Sequence, residues 1–570
     1  MASIGINRRM SNFKYKLNPF TMKKFYTAVI AFMVMMLSLS AQAPNVKALS
    51  AEFDKLLSAQ YKPGETGCAA IVAIKGQVVY KKAFGMANLE LNVPMQPDMV
   101  FRIGSITKQF TAVAILQLME QGKLSLQDDI TKYIPDYPTQ AYKITIENLL
   151  THTSGIKSYT NVPEFMKYVK EDLKPAELID KFKNQPMEFA PGTKWNYNNS
   201  GFFLLGYIIE KVSGMTYQDY IEQNLFKPAG MTNSLYGSDR RIVKNRAYPY
   251  QPDGENTVNA DYMSMLLPYA AGSIMSTVED LYKWNRALLS YKLIKKESLD
   301  KAWTEFKLND GKGTHYGYGW FMNEIQGSPV IEHGGGIFGY LTNGIYLPKE
   351  DVFVAVFSNS TGKDPGAVST KMAALAIGKP YGHTEIAVPA GTADQYTGVY
   401  ENEDGGKWII LKEADQLYSQ SGGGRKNKIK MFAPDQFFFD DSFTILTFKR
   451  DGSGKITEMV SADRAFTGNW KKTDKPVPTH IEIKLPGEVL SNYIGDYELA
   501  PGFSIKVTVE GDRIYTQATG QAKFEIFPEA ETKFFLKVVE AQLEFVKDDS
   551  GKFNKVILHQ GGRDMEGKRK

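Results

Sequence analysis

From Tyr396 onward the sequence repeats itself at a constant offset of 97 residues, and this constrains the fold more than any other feature. Tyr396-x-Gly398-x-Tyr400 returns as Tyr493-x-Gly495-x-Tyr497, and Asp415, Tyr418 and Gln420 return as Asp512, Tyr515 and Gln517. Phe437-Phe438 returns as Phe534-Phe535, and Phe448, Asp451, Gly454 and Lys455 return as Phe545, Asp548, Gly551 and Lys552. A fixed offset over that span means two copies of one module with no net insertion between the landmarks. Alternating apolar residues broken by Gly and Asp turns predict a small antiparallel barrel or sandwich for each copy. Their aromatic residues read as packed β core rather than as a sugar-stacking face. The charged tail, 563–570, is expected to fray. These copies would fence a site elsewhere in the chain, hold a ligand of their own, or only stabilise it.

The boundaries that follow are 1–43, 44–384, 385–480 and 481–570, with KPYGHTEIAVPAG (379–391) as the linker before the repeats. Residues 1–43 read as an export leader. Lys23 and Lys24 precede an apolar run over 27–41, and Ala41-Gln42-Ala43 is a small-x-small cleavage pattern. Met22 is a candidate start for that leader, and no Cys follows the run to accept a lipid. The run falls short of the roughly 20 residues that a membrane span needs, so no stable span is expected after cleavage.

Charge follows from the same segment. The leader holds six basic residues and no acids, which leaves 62 basic against 63 acidic residues in the remainder. The apparent basicity belongs to targeting, and no nucleic-acid partner is expected. A single Cys, Cys68, excludes an intrachain disulfide and a cysteine-based zinc site.

Within 44–384, Ala51–Gln60 reads as a helix, and 67–74 and 77–84 as strands about a Lys75-Gly76 turn. The segment FRIGSITKQFTAVAILQLME (101–120) then ends an extended approach at Gly104 and opens a helix at Ser105. Ile106, Phe110, Val113, Ala114 and Leu118 recur at helical spacing and predict one buried face. Ser105 and Lys108 are neighbours on that helix. A Ser in the first turn lies where free N–H groups and the positive end of the helix dipole gather. A Lys held in an apolar wall has its pKa lowered and takes the serine proton. S-x-x-K alone decides nothing, because it occurs at Ser11, Ser105, Ser154, Ser298 and Ser360.

Three later stretches join it. In the Thr/Ser/Gly turn 151–155, His152 reads as a hydrogen-bonded structural residue. In PGTKWNYNNSG (191–201), Tyr197 and Asn199 are read as extended, two apart and facing one side, ahead of an amphipathic helix over 202–212. A phenol with a pKa near 10 is a useful base only where cations favour its anion, and Lys108 is the cation at hand. Y-x-N also occurs at Tyr159–Asn161, but the second copy has the loop-to-helix setting. The third stretch, VIEHGGG (330–336), leads into apolar strands over 344–347 and 352–358. Its three glycines permit a close approach to the backbone and a backbone N–H for an oxyanion. A further loop-and-helix unit spans 269–289.

Ser105-x-x-Lys108, Tyr197-x-Asn199 and His333-Gly334-Gly335, in that order, resemble the serine β-lactamase and penicillin-binding protein superfamily in its class C and DD-peptidase/esterase branch. ITIENLLTHTSGI, PGTKWNYNNSGFFLLG, AAGSIMSTVEDLYKWNRALL and HGGGIFGY resemble family stretches over roughly 50–378. The repeats resemble the lipocalin-like domains appended to D-aminopeptidase-type enzymes. The resemblance implies an α+β fold: an antiparallel sheet flanked by helices, with a helical subdomain, followed by two small antiparallel β-barrel-like repeats.

It implies Ser105 as the acyl-accepting nucleophile, and Lys108 and Tyr197 sharing the acid/base work. Asn199, His333 and Gly335 would bind substrate, and the backbone N–H groups of Ser105 and Gly336 would form the oxyanion hole. No cofactor and no metal are implied. The expected activity is that of an exported, periplasmic or extracellular bacterial serine hydrolase acting on a small peptide, amide or ester, peptidoglycan fragments included. A β-lactamase is one alternative, disfavoured because His333 stands where class C β-lactamases carry a permanently charged Lys. A penicillin- or ligand-binding envelope protein with little turnover is the other. Class A β-lactamases are excluded by Tyr197-Asn198-Asn199 in place of Ser-Asp-Asn, and an α/β-hydrolase is unsupported without G-x-S-x-G.

Overall fold

The computed structural model describes residues 46–570 except 255, 423, 425, 479, 481 and 501, and the expected leader lies outside them. Six antiparallel strands form the central sheet of the first region: β1 (Cys68–Ile74), β2 (Gln77–Phe84), β3 (Phe321–Ile325), β4 (Ser328–Ile337), β5 (Tyr340–Leu347) and β6 (Val352–Ser358). Their order is β3-β4-β5-β6-β1-β2, so the sheet's first hairpin in sequence pairs with the sheet's last strand. That pairing explains the composition of β1, CAAIVAI. It lies between two neighbours, is covered on both faces and is buried almost throughout.

Helices cover both faces of the sheet. The helix α1 (Val46–Gln60) packs Phe53 edge-on against Tyr80 of β2. Asn343 and Gly344 are adjacent in β5 and therefore face opposite sides. Asn343 bonds Ser369 of α5 (Pro365–Ala376), while Gly344 lies under Leu281 of α4 (Val278–Leu289).

The segment 101–120 enters as a single 3₁₀ turn, Gly104–Ile106, and continues as α2 (Thr107–Glu120). The predicted apolar stripe is buried, but so is nearly all the rest of the helix, Thr107 and Lys108 included. Strand pairing and the helical region close over both sides of α2, so its polar residues face protein rather than water. Phe110 stacks on Trp284 of α4 at 4.0 Å between ring centres. On the other side lies α3 (Asn199–Ser213), capped by Asn198 accepting from the Gly201 N–H at 2.8 Å and ended by Gly214 at φ +72°.

The two repeats fold alike. The first is a nine-stranded antiparallel sheet and the second a closed eight-stranded barrel. In each, the second landmark Tyr donates back to the carbonyl of the first: Tyr400 to Tyr396 at 2.7 Å and Tyr497 to Tyr493 at 2.9 Å. Phe437 meets Phe448, and Phe534 meets Phe545, both edge-on at 5.4 Å. These tyrosines and phenylalanines are buried, so the repeated aromatics form the two cores. The tail does not fray as expected. Arg563–Arg569 is the last strand of the barrel and pairs with strands on both sides, which supplies the backbone partners a free tail would lack.

Candidate active site

Gly104 has φ +50°, and a Cβ there would lie 3.0 Å from both the nitrogen and the oxygen of Gly336. The turn carrying Ser105 therefore sits directly on β4. Only glycine permits that backbone conformation together with that approach. The result brings the Ser105 backbone beside the Gly336 backbone at the wall of a cavity of about 450 Å³, which both residues line.

Lys108 stands behind Ser105. Its Nζ donates to Ser105 Oγ at 3.1 Å, to Asn199 Oδ1 at 2.9 Å and to the Ala271 carbonyl at 2.9 Å. The side chain is fully buried with no carboxylate among these partners, and desolvation holds its pKa well below the usual lysine value. Asn199 also donates through Nδ2 to Thr160 Oγ1 at 3.2 Å, so its amide is fixed at both ends.

Tyr197 covers the same lysine, with Nζ 4.7 Å from its ring centre. Its hydroxyl is buried without a well-aligned hydrogen-bond partner. Ser105 is the one polar group that pulls its pKa down, against a larger upward push from burial. Burial is the larger influence and pushes the phenol's pKa up, which favours its protonated form. Tyr197 and Asn199 also do not lie in one extended segment. Asn198 is the extended cap, and Asn199 is already the first residue of α3.

His333 lies in β4, 2% exposed. Its Nδ1–H donates to the Gly334 carbonyl at 2.6 Å, which leaves Nε2 to accept from the Tyr316 hydroxyl at 3.1 Å. Burial and nearby Lys108 push its pKa down to about 3, so the ring is neutral. It does not line the cavity. Its ring packs between those of Phe321 and Tyr316. A Cβ at Gly335 would meet the Ile103 carbonyl at 1.9 Å, so this glycine lies tight against the turn that leads into Ser105. It is Gly336, the next residue, that lines the cavity.

The other serine–lysine pairs are not so arranged. Lys157 pairs with Glu188, Lys301 with Glu147 and Lys363 with Glu65, while Ser11 lies outside the described residues. Tyr159 of the other Y-x-N spends its hydroxyl on the Leu267 carbonyl at 3.0 Å.

His152 accepts from the Asn198 N–H through Nδ1 at 3.1 Å, and its ring lies 4.4 Å from that of Tyr197. It therefore holds the loop that carries Tyr197. Tyr316 is a residue that sequence reasoning missed as part of this site. Its partner His333 lies 17 residues away and is brought to it only by folding.

Comparison with known proteins agrees with this fold, which is that of serine hydrolases of the β-lactamase and penicillin-binding protein type. The chain belongs to the Beta-lactamase family, whose profile matches residues 52–379. A domain of unknown function, DUF3471, matches residues 479–569, the second repeat. The chain is 26% identical over 519 residues to "Penicillin-binding protein 4*" of Bacillus subtilis (strain 168), covering 87% of this chain and 93% of that protein. The solved octameric penicillin-binding protein homologue from Pyrococcus abyssi superimposes with a TM-score of 0.53 at 26% identity, over 75% of this chain and 100% of that one. The D-amino acid amidase from Ochrobactrum anthropi SV3 shares the fold, with a TM-score of 0.52 at 22% identity over 58% of this chain and 99% of that one.

Proposed function

We propose that the protein is an exported serine hydrolase that works through an acyl-Ser105 intermediate on a small peptide, amide or ester, cell-wall D-amino-acid peptides among them. The observation that carries this reading is the 3.1 Å contact between Ser105 Oγ and a fully buried Lys108 Nζ. A lysine whose charge is disfavoured by burial is held as the free amine near neutral pH, where it is available as a general base. In the proposed sequence, neutral Lys108 takes the hydroxyl proton as Ser105 Oγ attacks the substrate carbonyl. The oxyanion is met by the N–H groups of Ser105 and Gly336. The protonated Tyr197 hydroxyl beside Ser105 passes a proton to the leaving amine or alkoxide and is reprotonated from Lys108. Water then attacks the ester with the same groups in reverse. Asn199, fixed between Lys108 and Thr160, orients the substrate amide.

The test is intact mass after incubation with a fluorophosphonate. An adduct on wild type and none on Ser105→Ala is expected. An adduct of equal yield on Ser105→Ala ends the assignment of the nucleophile.

A second reading is a penicillin-binding envelope protein with slow turnover, supported by the name of the Bacillus subtilis relative. A penicillin adduct that persists for hours, without steady-state ester hydrolysis, favours it. An efficient β-lactamase is the least supported reading, since neutral His333 offers no positive charge to a substrate carboxylate.

A further inference from the structure

The cavity beside Ser105 has a distinctive charge pattern. Among the described residues that line it, Asp261 is the one formally charged side chain; no Lys, Arg or His lines the wall. Lys108 is buried behind Ser105, with its three hydrogen bonds directed to Ser105, Asn199 and Ala271. His333 is enclosed between aromatic rings.

Asp261 is also held without a counter-cation. Its Oδ2 accepts from Gln251 Nε2 at 3.0 Å, and its backbone N–H donates to Gln251 Oε1 at 3.1 Å. Among the described residues it joins no ion pair; the neutral Gln251 amide leaves its charge in place. The hairpin that presents it, Tyr250–Asp253 with Asn256–Asn259, is anchored at several points. Tyr250 donates to the Asn359 carbonyl at 3.0 Å and accepts from the Thr361 N–H at 3.2 Å. Gly339, in the turn between β4 and β5, lies so close beneath Pro249 and Ala260 that a Cβ there would come within 2.2 Å of Pro249. Asp261, exposed to solvent, thus stands in the cavity wall next to an anchored hairpin. The remaining wall is largely apolar, through Phe165, Met263, Pro268, Ile337, Phe338 and Leu341.

A pocket of this size with an apolar wall and a single carboxylate suits a ligand with an ammonium group and an apolar side chain. The same pocket penalises a ligand carboxylate twice, because it supplies a like charge and no cation. We infer that Asp261 selects substrates with a free amino group, so that the amides, esters or peptides turned over at Ser105 are amine-bearing and those bearing a carboxylate at the same place are rejected. This deepens the acyl-Ser105 reading and rests on it. Asp261 is a specificity residue that meets the ammonium and takes no part in the bond change at the carbonyl.

The test uses the full chain with phenylalanine p-nitroanilide in three forms, free amine, N-acetyl and N-succinyl, each as the D and the L enantiomer. For the preferred enantiomer, kcat/KM is expected to be at least tenfold higher for the free amine than for the N-acetyl form, and lowest for the N-succinyl form. Asp261→Asn is expected to shrink the amine preference to within about threefold, while Asp261→Glu retains it. Equal rates for the three forms in wild type, or an undiminished preference in Asp261→Asn, overturn the inference.

Binding of phenylalaninamide and N-acetylphenylalaninamide to Ser105→Ala, measured by calorimetry, reads the same preference without turnover. Equal affinity there also overturns it. Failure of the fluorophosphonate to label wild-type Ser105 strikes the acyl-serine reading instead, so the two failures are told apart.

Discussion

Arg464, at the tip of a hairpin in the first β repeat, forms a 2.9 Å ion pair with Glu332, the residue before His333 in β4. Both side chains are about nine-tenths buried. Arg464 also donates through Nε to the Glu324 carbonyl at 2.9 Å, and the next N–H, of Ala465, donates to Asn323 Oδ1 at 3.1 Å. Phe466 lies 4.7 Å from the His315 ring. The hairpin tip is therefore docked on β3 and β4, the edge of the sheet that carries the site. At the equivalent place in the second repeat stands Gly561, which cannot make this contact. The duplicated modules have diverged at the point where one of them touches the catalytic region.

Removing one member of this pair is expected to cost more than removing both. Arg464→Ala leaves Glu332 buried and unpaired, a loss on the order of 3 kcal/mol. The double variant Arg464→Ala/Glu332→Gln should recover part of it. Urea denaturation of wild type and the two variants checks this, and a double variant no more stable than Arg464→Ala would mean the pair is not coupled.

Lys108 sets the expected pH response of acylation. The neutral amine is the base, and burial lowers its pKa, so the labelling rate of Ser105 should rise as pH rises through that lowered value and level off above it. Lys108→Ala should slow labelling by about 10²–10⁴-fold. Stopped-flow labelling with a fluorophosphonate across pH measures both effects. A rate that falls with rising pH over the same range would assign the base elsewhere.

His333 makes the fold acid-sensitive. Its native pKa of about 3 lies below the ordinary 6.5, so between those values the unfolded chain binds a proton that the native chain refuses. Its contribution is fully present above about pH 6.5 and is lost as pH falls towards 3. His333→Gln should therefore lose less stability than wild type between pH 7 and pH 4. Urea midpoints at the two pH values give the comparison, and equal losses would contradict it.

Gly335→Ala tests the close approach beneath Ser105. Its new Cβ would come within 1.9 Å of the Ile103 carbonyl, so the strand or the serine turn must move. A destabilisation of about 1–3 kcal/mol is expected, with slower labelling of Ser105. Gly334→Ala is the stability control, because its Cβ would meet nothing nearer than 3.5 Å. Thermal melts of the two variants should differ clearly, and matching melts would show that the approach has slack.

Much of the architecture was legible in the chain. The 97-residue offset announced two like modules, because a module's core landmarks keep their order and spacing when it is duplicated. The strands about Lys75-Gly76 and the helix ending at Leu289 were legible from turn residues and local periodicity. The burial of α2 on all sides was not. Its apolar stripe signals one contact surface, whereas the second surface comes from elements far away in sequence. The tail 563–570 was misread for the same reason, since its strand partners lie at 495–500 and 553–560.

The candidate site divides likewise. Ser105 and Lys108 are close in sequence, so helical spacing alone makes them neighbours. The identity of the groups, their order along the chain and the family they resemble were all determined by the sequence. Only the tertiary structure decided that burial favours the protonated form of Tyr197, that His333 is neutral and enclosed, that Gly335 serves the turn, and that Asp261 stands uncompensated in the wall. A residue's type is written in its own codon, but its charge state and what it faces depend on burial and on neighbours that folding brings from more than a hundred residues away.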